Sequence, residues 1–184
     1  MTRALLAERY RASPVERPDL GVDAIRVEVL ACGAADRGDD GAALVAASLL
    51  AGGLPADVQL RVVGQLDIDD LLELAPGANV VIVDAATGIR PGKVLSVTLD
   101  RVASDQAGLR PRSSPALAFP VVLGLAGLIR GGPVQGRLVV IGGGDFSLGR
   151  PLSKRVAVAI PALVALVRTS IDQDLIARPS QAEG

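Results

Sequence analysis

The chain has 184 residues, of which 49% are hydrophobic and 2% aromatic, with 19 basic and 20 acidic residues and a net charge of −1. These values predict one aliphatic domain, and they disfavour nucleic-acid binding because neither a basic stripe nor aromatic stacking platforms are available. A single cysteine, Cys32, and the absence of histidine exclude a disulfide framework and a histidine-based catalyst, and favour a reducing cytoplasm.

Residues 1–24 carry interspersed charge without an apolar signal core, so we interpret them as an N-terminal extension. From residue 25, short β-branched runs alternate with longer helical stretches, which is typical of βαβ units. The predicted strands cover residues 25–32, 58–64, 79–85, 93–99 and 137–143. The predicted helices cover residues 40–51, 66–74, 116–130 and 153–170, and Pro161 should kink the last of them.

This order predicts an α/β three-layer sandwich with a mostly parallel, twisted sheet of about five strands and helices on both faces. One such domain should span residues 25–170, and residues 171–184 should form a flexible tail. The tight connection at 88–93 predicts that strand 93–99 runs antiparallel, as part of a hairpin. The longest apolar run, 116–129, is shorter than a membrane span and contains Pro120, so no membrane association is expected.

An acidic pair follows the first strand in "ADRGDDGAALVA", residues 35–46. The spacing of Gly33 and Gly38 imitates a phosphate-binding loop, but Asp39 and Asp40 occupy the positions of its lysine and hydroxyl residue. Two carboxylates repel phosphate, so nucleotide binding is disfavoured. The pair either caps the helix, with Asp39 at the N-cap and Asp40 in the first turn, or holds a cation.

Two further aspartates end later strands. Asp84 closes the apolar run "VVIVDA", where a carboxylate is costly unless it is paired, although strand-end aspartates often accept loop amides. If strands one and three are neighbours, Asp40 and Asp84 converge at the carboxyl edge of the sheet, where ligands of open α/β sheets bind. Asp145 in "GGGDFSLG" either lines the same edge or forms the turn among its glycines, which is the commoner role.

Four segments in order resemble the [NiFe]-hydrogenase maturation proteases, and the resemblance extends over residues 25–168. They are "GAADRGDDGAALVAASLL", "VVIVDAATGIRPGKV", "SSPALAFPVVLGLA" and "LVVIGGGDFSLGRPLSKRVAVAIPALVALV". The resemblance implies an endopeptidase that removes a C-terminal extension from the hydrogenase large-subunit precursor once nickel is installed. It also implies that nickel is contacted by Asp40, from the motif with Gly33, Gly38 and Gly41, and by Asp84.

The chain departs from that family at the third implied nickel contact. The histidine of the family's "SSH" segment corresponds to Pro115, which has no side-chain ligand, and the family's Gly-Asn after the first strand appears as Gly33-Ala34. Cys32 lies on a predicted buried strand and is interpreted as a core residue, so no nucleophilic side chain is evident.

Three accounts of the missing histidine stay open. Two carboxylates could suffice as a clamp, because nickel arrives on substrate thiolates and is not tightly held by this protein. Alternatively Asp145, Ser114 or a substrate group fills the vacant position, with Asp39 as an accessory acid. In the third account the chain is a noncatalytic relative that acts as a scaffold for a hydrogenase subunit. An unrelated α/β protein is the remaining interpretation.

Overall fold

The computed structural model describes residues 25–104, 110–111 and 118–176. The strands are β1 (Val27–Ala31), β2 (Val58–Val62), β3 (Asn79–Thr87), β4 (Val94–Thr98), β5 (Arg110–Pro111) and β6 (Gly136–Gly142). The helices are α1 (Ala42–Leu50), α2 (Ile68–Leu72), α3 (Leu99–Ala103), α4 (Phe119–Arg130) and α5 (Lys154–Ile176), and a 3₁₀ turn at Gly38–Gly41 precedes α1. All five predicted strands are therefore present.

The strands form one sheet in the order β2-β1-β3-β6-β4. The first four in this order are parallel, and β4 runs antiparallel to β6 at the sheet edge. The two-residue β5 pairs antiparallel with the end of β3. The antiparallel direction of the 93–99 strand is thus confirmed, but the predicted hairpin is wrong because β4 pairs with β6 and not with the preceding β3.

Two aliphatic cores cover the two faces of the sheet, which confirms the three-layer prediction. Alternate strand residues point to opposite faces. On one face Val29, Val81 and Val139 pack with α1 and α5. On the other face Leu30, Ile82 and Val140 pack with side chains of α2, α3 and α4. Cys32 belongs to this second core and is fully buried, as expected.

Helix α5 is longer than the sequence prediction, which ended it at residue 170 and began a tail at 171. The helix continues to Ile176 because Ile171 and Asp174 are buried against the domain. Asp174 also accepts a hydrogen bond from Arg137 Nε of β6 at 3.2 Å. The helix is long and apolar enough to cross a membrane by length and composition alone, but Val156, Ile160 and other residues of its inner face belong to the core.

The five-residue helix α3 was not predicted, because its residues were assigned to the end of a strand and to a connection. Leu99 and Val102 of α3 are buried in the second core, so tertiary packing supplies the stabilisation that so short a helix lacks alone. The remaining helices agree with the prediction within a few residues.

Candidate functional site

Asp40 stands at the turn between β1 and α1. Its Oδ2 accepts a hydrogen bond from the Ala34 amide at 3.0 Å, so the carboxylate orders the loop that follows β1. Gly33 makes this arrangement possible: its φ is +129°, and a Cβ there would lie 2.0 Å from the Asp40 carbonyl oxygen. A Cβ added at Gly41 would lie 3.4 Å from Ala35 Cα, an ordinary van der Waals distance, so space alone does not require glycine there. Asp40 remains half-buried at the carboxyl edge of the sheet.

Asp39, the other member of the pair, is fully buried and binds a distant loop. Its Oδ2 accepts hydrogen bonds from the Gly144 amide (2.8 Å), the Asp145 amide (3.0 Å) and the Ser153 hydroxyl (3.0 Å). Its Oδ1 accepts from the Ser153 amide at 2.7 Å. The prediction that Asp39 caps its own helix is wrong, because the N-cap of α1 is Gly41 and no side chain caps α1 or the 3₁₀ turn before it.

Asp39 thus clamps the 3₁₀ turn to the loop after β6, and the pKa of its carboxyl agrees with this structural role. Burial raises the pKa of the carboxyl, but the amides of Gly144, Ser153 and Asp145 and the Ser153 hydroxyl lower it, and the net pKa lies below the usual aspartate value. The residue is therefore a stable carboxylate whose oxygens are occupied by loop donors. Gly38 completes the junction, because a Cβ there would lie 2.4 Å from the Asp145 carbonyl oxygen.

Asp84 lies within β3 and not at its end, since the strand continues to Thr87. Pairing with β1 nevertheless stops at Val83, which is opposite Ala31, whereas β6 continues alongside β3 as far as Ala86. Asp84 is therefore beside the point where β1 leaves the sheet. Its side chain is fully buried, and its Oδ1 accepts the amide of Ala85 at 2.7 Å.

Asp40 and Asp84 flank the same short piece of chain. The Cys32 amide donates to the Val83 carbonyl at 2.8 Å, which sets Cys32 beside Asp84. The next two residues, Gly33 and Ala34, contact the backbone and the carboxylate of Asp40. Both acids are thus adjacent to residues 32–34 at the carboxyl edge, where ligands of parallel sheets bind. Within residues 25–104 and 118–176, no group of three or more histidine, cysteine, aspartate or glutamate side chains could hold a metal ion.

Asp145 uses its carboxylate locally. Its Oδ1 accepts the Ser147 amide at 3.0 Å, and its Oδ2 lies 3.6 Å from Arg150 Nε. The Ser147 amide and hydroxyl lower the pKa of this carboxyl, and Arg150 contributes. These contacts favour the turn-forming interpretation over a ligand role. Ser114 and Pro115 lie outside the described residues.

Sequence reasoning missed Ser153, which donates two hydrogen bonds to Asp39. A signal was present, because Ser153 directly precedes α5, a position where serine commonly caps a helix. The Ala157 amide donates to the Ser153 carbonyl, as the first bond of a helix requires. This signal did not indicate that Ser153 would bind Asp39, which is 114 positions away in the chain.

Together, the sheet order and the two acids beside the end of β1 define an α/β protein with an acidic site at the carboxyl edge of its sheet. No protein-family model matches the chain, and no curated protein matches it in sequence. Several solved structures share its fold.

The HybD [NiFe] hydrogenase maturation protease from Thermococcus kodakarensis is 22% identical, with 79% of this chain and 98% of that chain covered and a TM-score of 0.65. The hydrogenase maturating endopeptidase HybD from E. coli is 19% identical, with 81% and 93% covered and a TM-score of 0.68. The hydrogenase 2 maturation peptidase from Thaumarchaeota archaeon SCGC_AB-539-E09 is 25% identical, with 80% and 98% covered and a TM-score of 0.56. The chain therefore has the fold of the [NiFe] hydrogenase maturation proteases, which confirms the fold that the sequence resemblance implied.

Proposed function

We propose that this protein is an endopeptidase that recognises the nickel-loaded precursor of a hydrogenase large subunit and removes its C-terminal extension. The observation that carries the proposal is the position of Asp40 and Asp84 beside residues 32–34, at the carboxyl edge of a sheet with the fold of hydrogenase maturation proteases. We place the reaction in the cytoplasm, because a reducing compartment keeps both the single cysteine and the nickel-binding thiolates of the precursor reduced.

The donor set fits nickel as part of the substrate better than nickel as a resident ion. Asp40 and Asp84 offer carboxylate oxygens, whereas soft thiolates bind late transition metals such as nickel more strongly. A precursor that holds nickel on its own cysteines would bring most of the affinity with it. The two aspartates then act as a clamp that binds the nickel of a loaded precursor and does not bind a precursor without nickel.

The two acids differ in environment, which suggests different tasks. Asp84 is fully buried, so a cation beside it offsets the cost of desolvating its charge. Asp40 is half-buried and tied to the Ala34 amide, so it is held in place yet open to an approaching substrate. Nickel next to a peptide bond can polarise the scissile carbonyl or activate a water. Asp40, as the more accessible base, is suited to accept the proton of that water.

Asp39 supports this site without joining it. Its oxygens are occupied by Gly144, Asp145 and Ser153, so it fixes the turn on which Asp40 stands. Loss of Asp39 should therefore loosen the fold and the site together, whereas loss of Asp40 should affect the site alone.

A second candidate function rests on the absence of histidine from the chain and on proline at position 115. In that case the protein binds the nickel-loaded precursor through the same two acids and does not cleave it. This noncatalytic relative would act as a scaffold for the hydrogenase subunit.

The deciding experiment incubates the protein with the nickel-loaded large-subunit precursor from the same source and measures loss of the C-terminal extension by mass spectrometry. Cleavage that Asp40→Asn and Asp84→Asn abolish supports the endopeptidase. The matched control is Asp172→Asn, an exposed position near the end of α5, which should leave cleavage unchanged.

Binding without cleavage supports the scaffold, and a Pro115→His variant that then gains cleavage would confirm that the missing ligand is responsible. A precursor that is neither bound nor cleaved contradicts both functions. Cleavage of the nickel-free precursor at the same rate contradicts the clamp role of the two acids.

A further inference from the structure

A surface cleft of about 610 Å³ at the carboxyl edge of the sheet is surrounded by basic side chains. Arg90 and Lys93 come from the connection between β3 and β4, and Lys154 and Arg155 come from the first turn of α5. Among the described residues, no carboxylate forms an ion pair with any of the four. The positive charge of this basic cleft is therefore not neutralised by the described part of the chain.

The charges on α5 oppose the stability of the helix they begin. The N-terminus of a helix carries partial positive charge and favours acidic residues, yet the first turn of α5 contains Lys154 and Arg155 and no acid. Asp39 already supplies one carboxylate at this helix end, through the Ser153 amide and hydroxyl. It forms no ion pair with Lys154 or Arg155, so a bound anion at the cleft would still reduce the repulsion between these two cations and the helix end.

The basic cleft is held in a fixed shape by its backbone. Gly92 has φ +83°, and a Cβ there would lie 2.7 Å from the Arg155 carbonyl oxygen, so the connection packs directly on α5. The Gly92 amide donates to the Gly142 carbonyl, and the Gly142 amide donates to the Lys93 carbonyl, both at 2.8 Å. Because these segments are already ordered, the protein loses little conformational entropy when a ligand binds in the cleft.

The basic cleft is linked through Gly144 to Asp39, which precedes Asp40. A Cβ on Gly144 would lie 3.0 Å from Pro91 Cγ of the cleft, and the Gly144 amide donates to Asp39. Gly144 therefore connects the cleft wall with the turn that carries Asp40. The cleft and this turn both lie at the carboxyl edge of the sheet.

We propose that the basic cleft binds an acidic stretch of the polypeptide substrate while the scissile segment occupies the acidic site, an inference that rests on the proposed function. The lining favours a peptide over a small anion. Val158, which is 82% exposed, and Ala159 and Pro91 add apolar surface between the cations. An extended peptide covers this surface and pairs its carboxylates with cations from two elements, whereas inorganic phosphate covers none of it.

The first test needs no catalysis. Fluorescence anisotropy measures binding of a labelled peptide of alternating glutamate and leucine, and of the same peptide with glutamine for glutamate. We expect the glutamate peptide to bind with an affinity that falls as salt rises, and the glutamine peptide to bind at least tenfold more weakly. Equal binding of the two peptides, or no binding of either, overturns the proposal. If inorganic phosphate displaces the glutamate peptide at a concentration close to that of the protein, the cleft is a small-anion site and the proposal is overturned as well.

Charge-reversed variants locate the binding. Lys93→Glu with Lys154→Glu should weaken the glutamate peptide about tenfold, whereas the control Arg101→Glu with Arg168→Glu makes the same change in net charge at exposed positions outside the cleft and should stay within about twofold. Circular dichroism confirms that each variant is folded. An equal loss in both variants would assign the binding to overall charge and refute the cleft.

The second test links the cleft to the reaction. With the nickel-loaded precursor, Lys93→Glu with Lys154→Glu should raise KM about tenfold and leave kcat nearly unchanged, because the cleft binds substrate away from the scissile bond. An unchanged KM contradicts the cleft and leaves the proposed function standing. Peptide binding by a protein that never cleaves the precursor contradicts the endopeptidase and leaves the acidic-peptide specificity of the cleft in place.

Discussion

Asp39 and Ser153 are joined by two hydrogen bonds, from the serine amide at 2.7 Å and from its hydroxyl at 3.0 Å, although they are 114 positions apart in the chain. This contact fixes the start of α5 against the turn that carries Asp40. The Gly144 and Asp145 amides bind the same carboxylate. The acidic site and the loop after β6 are therefore one structural unit held by one buried charge.

We expect Asp39→Asn to lower the free energy of unfolding by about 2–4 kcal/mol, because the amide nitrogen of asparagine would meet backbone donors and leave some of them unsatisfied. Urea denaturation monitored by circular dichroism measures the change. The matched control is Asp145→Asn, whose half-exposed carboxylate binds only nearby groups and whose loss should matter much less. Equal stability of the two variants would refute the clamp role of Asp39.

The same residue predicts how stability depends on acid. The pKa of Asp39 is lowered in the folded protein, so its contribution is complete above the unfolded aspartate pKa of about 3.9 and is lost as pH falls through the lower folded value. The difference in unfolding free energy between the wild type and Asp39→Asn should be constant at neutral pH and shrink below about pH 4. Denaturation curves across that range test this. A difference that grows on acidification would contradict the direction of the pKa shift.

Gly33→Ala should disrupt the acidic site directly. The new Cβ would lie 2.0 Å from the Asp40 carbonyl oxygen at a φ of +129°, so either the loop or the strand end must move, at a cost of about 3 kcal/mol or more. The control is Gly52→Ala, because a Cβ at Gly52 meets nothing within 4 Å and should change stability by less than about 1 kcal/mol. Thermal unfolding compares the two, and similar melting temperatures would show that the loop accommodates a side chain.

The strands and the layer order could be predicted from the sequence because both depend on local hydrophobic pattern. The run at 79–85 became β3, extended by two residues, and the acidic pair stands at the turn where the pattern changed from strand to helix. Asp40 and Asp84 were predicted to approach each other if β1 and β3 were neighbours, and the two strands are paired.

Features that depend on distant contacts could not be predicted in this way. The sequence offered only a helix cap or a cation ligand as roles for Asp39, because its donors at Gly144 and Ser153 are more than a hundred residues away. The basic cleft was missed for the same reason: Arg90 and Lys154 are far apart in the chain, and a net charge near zero conceals their convergence. The extension of α5 beyond residue 170 was missed as well, because Asp174 pairs with Arg137 of β6.

Arg137 and Asp174 form an ion pair between β6 and α5. The loss of unfolding free energy when this pair is broken should depend on pH. Burial raises the pKa of Asp174 and Arg137 partly lowers it, so the net pKa is above the usual value. Asp174 Oδ2 has no hydrogen-bond partner among the described residues. Arg137→Gln leaves a buried charge without its cation and should cost about 2–4 kcal/mol at pH 7.

The cost of Arg137→Gln should fall as pH drops, because a carboxyl with a raised folded pKa favours the folded state only when it is protonated. Urea denaturation at pH 7 and pH 5 measures the change. The double variant with Asp174→Asn should be more stable at pH 7 than Arg137→Gln alone, since it removes the unpaired charge. A double variant that is less stable by the sum of both single effects would show that the two side chains do not interact.

The isolated protein should hold nickel weakly. Under the proposed function the only ligands from this chain are the carboxylate oxygens of Asp40 and Asp84, because the chain contains no histidine. Oxygen ligands alone favour harder cations such as Mg²⁺ and Mn²⁺ over nickel. Titration calorimetry with Ni²⁺ should give a Kd of about 10⁻⁴ M or weaker, and Mg²⁺ in excess should compete. The nickel-loaded precursor should bind far more tightly than free nickel, and Asp40→Asn and Asp84→Asn should each weaken that binding, whereas Asp172→Asn should not. Tight binding of free nickel by the wild type would show that the protein carries the metal itself and would contradict its delivery by the substrate.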